Sequence, residues 1–286
     1  MRFWNRGYWN ELALQFKGLT QDLKSKLDQV VSGRVVPSID NIPIGSARKL
    51  DAAVMFFDLR GSSRLPVDVA TYALNVVIPT VMRIVHDHDG YIEKNTGDGV
   101  MAIFTSGDGK KTCKSALQSA MACFCVLREI INPHLLKIGL PTAAARIGID
   151  FGEIVVSRVG VPKGSARQDR SFLTAIGSAP NIACRLQEQA GTNEIWVGNA
   201  VKEQAPAEWG GSFLRKFPSE WNWVQKSNPS QLYAAWHFYC ELAVPVPTPT
   251  PQLPKGLLNL APQPRNLQQL VPLSILGHEI SNLGGH

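Results

Sequence analysis

The chain has 286 residues, 44 % of them hydrophobic, with a formal net charge of +6. That supports one large domain or two small ones around a sizeable core and argues against bulk disorder. The mild basicity suits a polyanionic ligand, but no basic stripe interleaves with aromatics, so nucleic acid is not an expected partner.

The five cysteines (Cys113, Cys123, Cys125, Cys184 and Cys240) lack zinc spacing and read as reduced thiols. The start, MRFWNRGYWNEL, has no continuous apolar segment of a signal peptide. No uninterrupted apolar run of the roughly 18 residues a membrane span needs is present. A cytoplasmic protein is the expectation.

In chain order, residues 9–31 carry Leu12, Leu14, Phe16, Leu19, Leu23, Leu27, Val30 and Val31 at helical spacing, with Gly33 closing the helix. Residues 32–50 read as a linker. The run 52-AAVMFF-57 predicts a buried strand, and residues 67–87 a helix kinked or broken at Pro79. Residues 90–104 read as a hairpin about Gly97-Asp98-Gly99, and residues 111–131 as a long apolar helix. The segment 144–160 reads as a second hairpin turning at Phe151-Gly152, and 161–171 as a charged loop. A helix over 177–190 has Pro180 in its first turn, where proline is tolerated. A strand at 194–197 and an aromatic-rich strand at 230–242 follow; from residue 244 alternating prolines predict an extended arm. The divisions are therefore 1–50, an N-terminal helix and linker; 51–243, the main domain; and 244–286, the arm. The element order predicts an α+β fold, a mostly antiparallel sheet covered by helices.

The stretch 54-VMFFDLRGSSRL-65 places an acid at the end of a buried strand, where a carboxylate is costly unless a cation meets it. Asp98 sits in a tight turn. If the two strands are neighbours, Asp58 and Asp98 converge at one sheet edge and need a cation between them. Oxygen ligands favour Mg²⁺ or Mn²⁺. The turn 59–63, ahead of a helix, offers backbone amides as an anion cradle. Together these make a triphosphate site. Residue type alone equally fits Asp58 as a helix cap and Asp98 as an ordinary turn aspartate.

Four ordered segments carry a more specific signal: FFDLRGSS, EKNTGDGVMAIF, ARIGIDFGEIV and FLTAIGSAPNIACRL. Over roughly residues 51–200 the chain resembles class III nucleotidyl cyclases. The resemblance implies their ferredoxin-like fold and a pair of Mg²⁺ or Mn²⁺ ions per site. It implies that Asp58, Asp98 and the Leu59 carbonyl hold metal, and that Leu59, Arg60, Gly61, Ser62 and Ser63 hold phosphate. It implies that Asn181 orients the ribose while Arg185 steadies the transition state; their i, i+4 spacing puts both on one helix face. It further implies a homodimer, since the family places the metal and ribose/arginine halves on opposite subunits.

The family's base-reading positions fall on Lys94 and Thr174. Lysine argues against guanine. Lys94 could donate to adenine N1 while Thr174 accepts from N6, yet the same pair could serve uracil. The chain departs from the family's pattern at Ser62-Ser63, Pro180 and Cys184, and Lys216 and Lys226 are weak candidates for a γ-phosphate contact. No sensor or transmembrane module is expected. In this the chain resembles the pyrimidine cyclases of bacterial antiphage (Pycsar) systems, which implies UTP as substrate, cyclic UMP as product and a separate effector. An adenylate cyclase, a cytidylate cyclase and an inactive nucleotide-binding module are the alternatives. Arg146 and Glu153 read as partners of each other across the expected hairpin, and Arg167, Asp169 and Arg170 as a loop able to close over phosphates.

Overall fold

The computed structural model describes Asn10, Leu14, Lys17 and residues 30–161, 170–225 and 228–239. Its elements run β1 (Val31–Ser32), β2 (Ala47–Leu59), α1 (Val67–Asp87), β3 (Gly90–Asn95), β4 (Gly99–Phe104), α2 (Gly109–Val126), a π turn (Leu127–Ile131) and α3 (Asn132–Lys137). They continue with β5 (Ala145–Val161), β6 (Arg170–Ile176), α4 (Ser178–Gln189), β7 (Ile195–Gly198), α5 (Asn199–Gln204), β8 (Phe213–Lys216), β9 (Val224–Gln225), β10 (Asn228–Leu232) and β11 (Ala235–Phe238).

The main sheet has the order β3-β4-β2-β5-β7-β11-β8, with β1 added to β2 and β6 to β5. All pairings are antiparallel except β1–β2 and β5–β7. This is the expected α+β architecture.

Strand β2 shows why the sheet is buried on both faces. Ala53, Met55, Phe57 and Leu59 enter one core layer with α1, α2 and α3. Leu50, Ala52 and Val54 enter a second layer with Ala179 and Ala183 of α4. Successive side chains of a strand point to opposite faces, so a continuous apolar run is what a doubly covered strand requires. Strand β4 divides likewise: Val100, Ala102 and Phe104 face the first layer, Met101 and Ile103 the second.

Several expectations change. Residues 144–160 are not a hairpin: β5 stays paired with β2 from Leu59↔Ala145 to Ala47↔Ser157. Gly152 lies opposite Ala52 within the strand, and a Cβ on it would sit 3.8 Å from that of Ala179 at the start of α4. It stands inside a continuous strand rather than at a turn.

The N-terminal helix does not reach Val31, which pairs in parallel with Arg48. Asn10, Leu14 and Lys17 are helical, and the other residues of that segment before Val30 lie outside the described residues. Helix α1 runs through Pro79 as one element. The 230–242 strand is two strands, because Tyr233 turns inward to donate to Asp150 at 2.7 Å and its amide bonds the Trp223 carbonyl. The 162–169 loop and the proline-rich arm lie outside the described residues.

Among the described residues, α1 is long and apolar enough to cross a membrane by length and composition. Here Ala73, Val77, Ile78, Val81 and Val85 are buried, and Val77, Ile78, Val81 and Val85 belong to the first core layer.

Candidate active site

The site forms where β2 ends. Asp58 pairs directly with Gly99, the first residue of β4, so Asp98 stands one position beyond it across the ladder. The turn carrying Asp98 is closed by local bonds: the Gly97 amide donates to Asn95 Oδ1 at 2.8 Å and the Thr96 amide to the Gly99 carbonyl at 3.0 Å. The Leu59 amide donates to the Asp98 carbonyl at 3.0 Å, tying the two strand ends together. Gly99 is needed for this approach. A Cβ there would lie 2.7 Å from the Phe57 carbonyl oxygen and 3.7 Å from Asp58 Oδ1.

Each acid is held by one oxygen. Ser62 Oγ donates to Asp98 Oδ2 at 2.5 Å. Arg146 Nε donates to Asp58 Oδ2 at 2.9 Å, and both side chains are about one quarter exposed (23 % and 24 %). Arg146 Nη1 also donates to the Glu188 carbonyl at 3.0 Å, so one guanidinium joins Asp58 to the last turn of α4. The expected Arg146–Glu153 pair does not form. Arg146 sits opposite Asp58 in the β2–β5 register, while Glu153 meets Lys49 at 3.0 Å.

The turn after β2 bends at Gly61, in the left-handed region with φ 73°. The amides of Leu59 and Arg60 are already bonded to the carbonyls of Asp98 and Ala144. Of the expected cradle, the amides still able to meet an anion therefore begin at Gly61 and continue into Ser62 and Ser63.

Among the described residues no group of three or more His, Cys, Asp or Glu side chains converges as a ready-made metal cage. The donor set nevertheless fits a hard divalent ion. Mg²⁺ binds through one or two carboxylates and takes its remaining ligands from water and substrate phosphates. Asp58 and Asp98 each keep a second oxygen without a side-chain partner among the described residues.

The other expected residues lie on α4. Ala179, Ile182, Ala183 and Leu186 are buried, while Asn181 and Arg185 are exposed. Arg185 Nη1 bonds Glu188 Oε2 at 2.8 Å and its side chain is 66 % exposed. Within one chain no hydrogen bond or ion pair among the described residues joins Asn181 or Arg185 to Asp58 or Asp98. Cys184, between them in sequence, has its thiol pushed up by burial and then by Glu188, against the opposing pull of Arg185 and Arg146. The four described cysteines, Cys113, Cys123, Cys125 and Cys184, are free thiols.

Lys94 and Thr174 lie on β3 and β6. Lys94 Nζ is 3.1 Å from Glu93 Oε2, and the Ala175 amide, next to Thr174, donates to Glu93 Oε1 at 3.4 Å. Sequence reading singled out neither Glu93 nor the Arg146–Asp58 pair. For Arg146 the signal lay in the register of two long strands. Lys216 is committed to Glu194 at 3.6 Å and to the Trp196 ring; Lys226 lies outside the described residues.

No family model matches the chain. An adenylate cyclase of Anabaena cylindrica is 28 % identical over 214 residues, covering 68 % of this chain and 40 % of that protein. A uridylate cyclase of Burkholderia cepacia is 28 % identical over 236 residues, covering 72 % of this chain and 99 % of that protein. The chain thus spans less than half of the first relative and nearly all of the second. Among solved structures, an adenylyl cyclase of Pseudomonas aeruginosa superposes with a TM-score of 0.57 at 20 % identity, covering 69 % of this chain and 98 % of that one. The fold is the class III cyclase fold, and the resemblance carried by the four ordered motifs is borne out.

Proposed function

We propose that the protein is a nucleotidyl cyclase that converts UTP to 3′,5′-cyclic UMP and pyrophosphate, as a second-messenger generator in antiphage defence. The observation that carries the reaction class is the pairing of Asp58 beside Asp98 at the end of β2, with an amide-bearing turn behind them. The near-complete coverage of a uridylate cyclase favours uracil over adenine.

In this reading Asp58, Asp98 and the Leu59 carbonyl hold Mg²⁺ or Mn²⁺, which lowers the pKa of the ribose hydroxyl and neutralises phosphate charge when bound. The amides from Gly61 to Ser63 hold the phosphates. Asn181 aligns the ribose so that its 3′-oxygen faces the α-phosphorus. The 3′-O–P bond forms, the bond from the α-phosphorus to the bridging oxygen breaks, and that oxygen leaves with the electron pair as pyrophosphate; the proton of the 3′-hydroxyl passes to solvent water. Arg185 meets the negative charge that grows on the α-phosphate. Asn181 and Arg185 come from a second copy of the chain, giving a homodimer with paired sites. Lys94 and Thr174 read the base.

The test is incubation of the purified protein with equal ATP, GTP, CTP and UTP plus Mn²⁺, with cyclic products identified by mass. Cyclic UMP, absent with Asp58→Ala, is the expected result. Cyclic AMP or cyclic CMP in its place overturns the choice of base, and no cyclic product from any nucleotide overturns the reaction.

A further inference from the structure

The β3–β4 ladder is irregular at one point. Ile92 pairs with Ala102 and Lys94 with Met101, so Glu93 is an extra residue, a β-bulge. Cross-strand partners share a face, and Met101 belongs to the second core layer, with α4 and Leu173 of β6. Without the bulge Lys94 would stand opposite Val100 and face the first layer, away from Leu173 and Ala175, the neighbours of Thr174 on β6. With it, Lys94 shares the side of Tyr91, which packs with Ala175 against the second layer.

Glu93 is the most buried charged partner in this corner. Its side chain is 1 % exposed against 46 % for Lys94. Its Oε1 accepts from the Ala175 amide at 3.4 Å. Its Oε2 is 3.1 Å from Lys94 Nζ but accepts no well-directed hydrogen bond among the described residues. A buried carboxylate with one oxygen unsatisfied is stable only while its counter-charge stays close. If the Lys94 ammonium swings away into solvent, that carboxylate is stranded. A lysine, otherwise a flexible point charge, is thereby held to one place, next to the strand that bears Thr174.

We propose that Glu93 is a positioning residue for base selection: from the bulge, its buried carboxylate locks the Lys94 ammonium and the Thr174–Ala175 segment into one unit. The inference rests on the reading of Lys94 and Thr174 as base-facing. A bulge that re-aims a side chain beside a binding site is the usual context for such a device.

The experiment measures binding of the 3′-deoxy forms of the four nucleoside triphosphates, which cannot cyclise, to the full chain with Mn²⁺ by calorimetry. Wild type is compared with Glu93→Gln, Glu93→Asp and Lys94→Met. The expected result is base-selective binding by wild type and about a tenfold fall in the ratio of best to worst Kd for Glu93→Gln, towards that of Lys94→Met. Glu93→Asp, which keeps the charge but shortens its reach, should fall between, and it stands in if Glu93→Gln fails a melting test. A purely structural role would change all four affinities together and leave the ratio alone. Wild-type selectivity in the glutamate variants, or equal binding of all four bases by wild type, overturns the proposal. Selective binding by wild type without any cyclic product defeats the reaction reading and leaves Glu93 standing.

Discussion

The acid-bearing edge and the outer face of α4 carry the two halves of the proposed site, and they are built in opposite ways. At the edge each acid is anchored through one oxygen, Asp58 by Arg146 and Asp98 by Ser62, and the strand ends are joined by the Leu59 amide. On α4, Asn181 and Arg185 are exposed, and among the described residues Arg185 pairs with Glu188 on its own helix. In the proposed dimer, the exposed half is the one that a second copy completes. A carboxylate pair must be fixed before a cation arrives, because two unheld acids repel. An arginine that meets charge arising only in the transition state can wait in solvent until a partner surface brings the nucleotide to it.

The largest contrast between the halves should come from Arg185→Ala. It removes an exposed charge, so kcat should fall about 10²–10³-fold, as for loss of one preorganised donor. An unchanged melting temperature and metal affinity should accompany that fall. Steady-state kinetics and calorimetry on one preparation check both.

Arg146→Ala should invert the pattern. It leaves Asp58 without its orienting partner and α4 without a cap on its Glu188 carbonyl. Metal affinity should drop about 10–100-fold, as when the partner orienting a ligand is lost. Stability should fall by about 1.5–3 kcal/mol, the range for hydrogen bonds to charged groups. Denaturant titration and Mn²⁺ titration read the two effects; a stable variant with intact metal affinity would mean that Arg146 does not hold Asp58 for the metal.

The smallest effect lies between the halves, at Cys184. Burial and Glu188 hold its thiol above the ordinary value of 9.0. A raised pKa keeps the thiol protonated, so alkylation by iodoacetamide should be slow at neutral pH and accelerate only in alkaline solution. Removing Arg146, one of the charges that pull the value down, should slow it further. Peptide mass spectrometry across pH measures this; fast alkylation at neutral pH would contradict the placement.

What was legible in the sequence were features encoded within one or two elements. The run FFDLRGSS shows a buried strand ending in an acid before a glycine turn, and TGDG shows the hairpin that answers it. The i, i+4 spacing of Asn181 and Arg185 shows one helix face. The rest depended on distant register. Arg146 and Asp58 are 88 residues apart in sequence and meet because β2 and β5 stay aligned over their whole overlap; reading Gly152 as a turn hid that alignment. Glu93 was hidden for a related reason. Strict alternation puts it and Lys94 on opposite faces, and a bulge cannot be read from alternation.

The most direct test of the divided site is complementation. Asp58→Ala and Arg185→Ala chains are purified separately, mixed, allowed to exchange subunits, and assayed for cyclic product. Each alone should be inactive or nearly so. The mixture should recover about one quarter of wild-type specific activity, since half of randomly formed dimers are mixed and each holds one intact site of its pair. A mixture no more active than its parts, with exchange demonstrated, would mean that Asp58 and Arg185 do not serve one nucleotide across two copies.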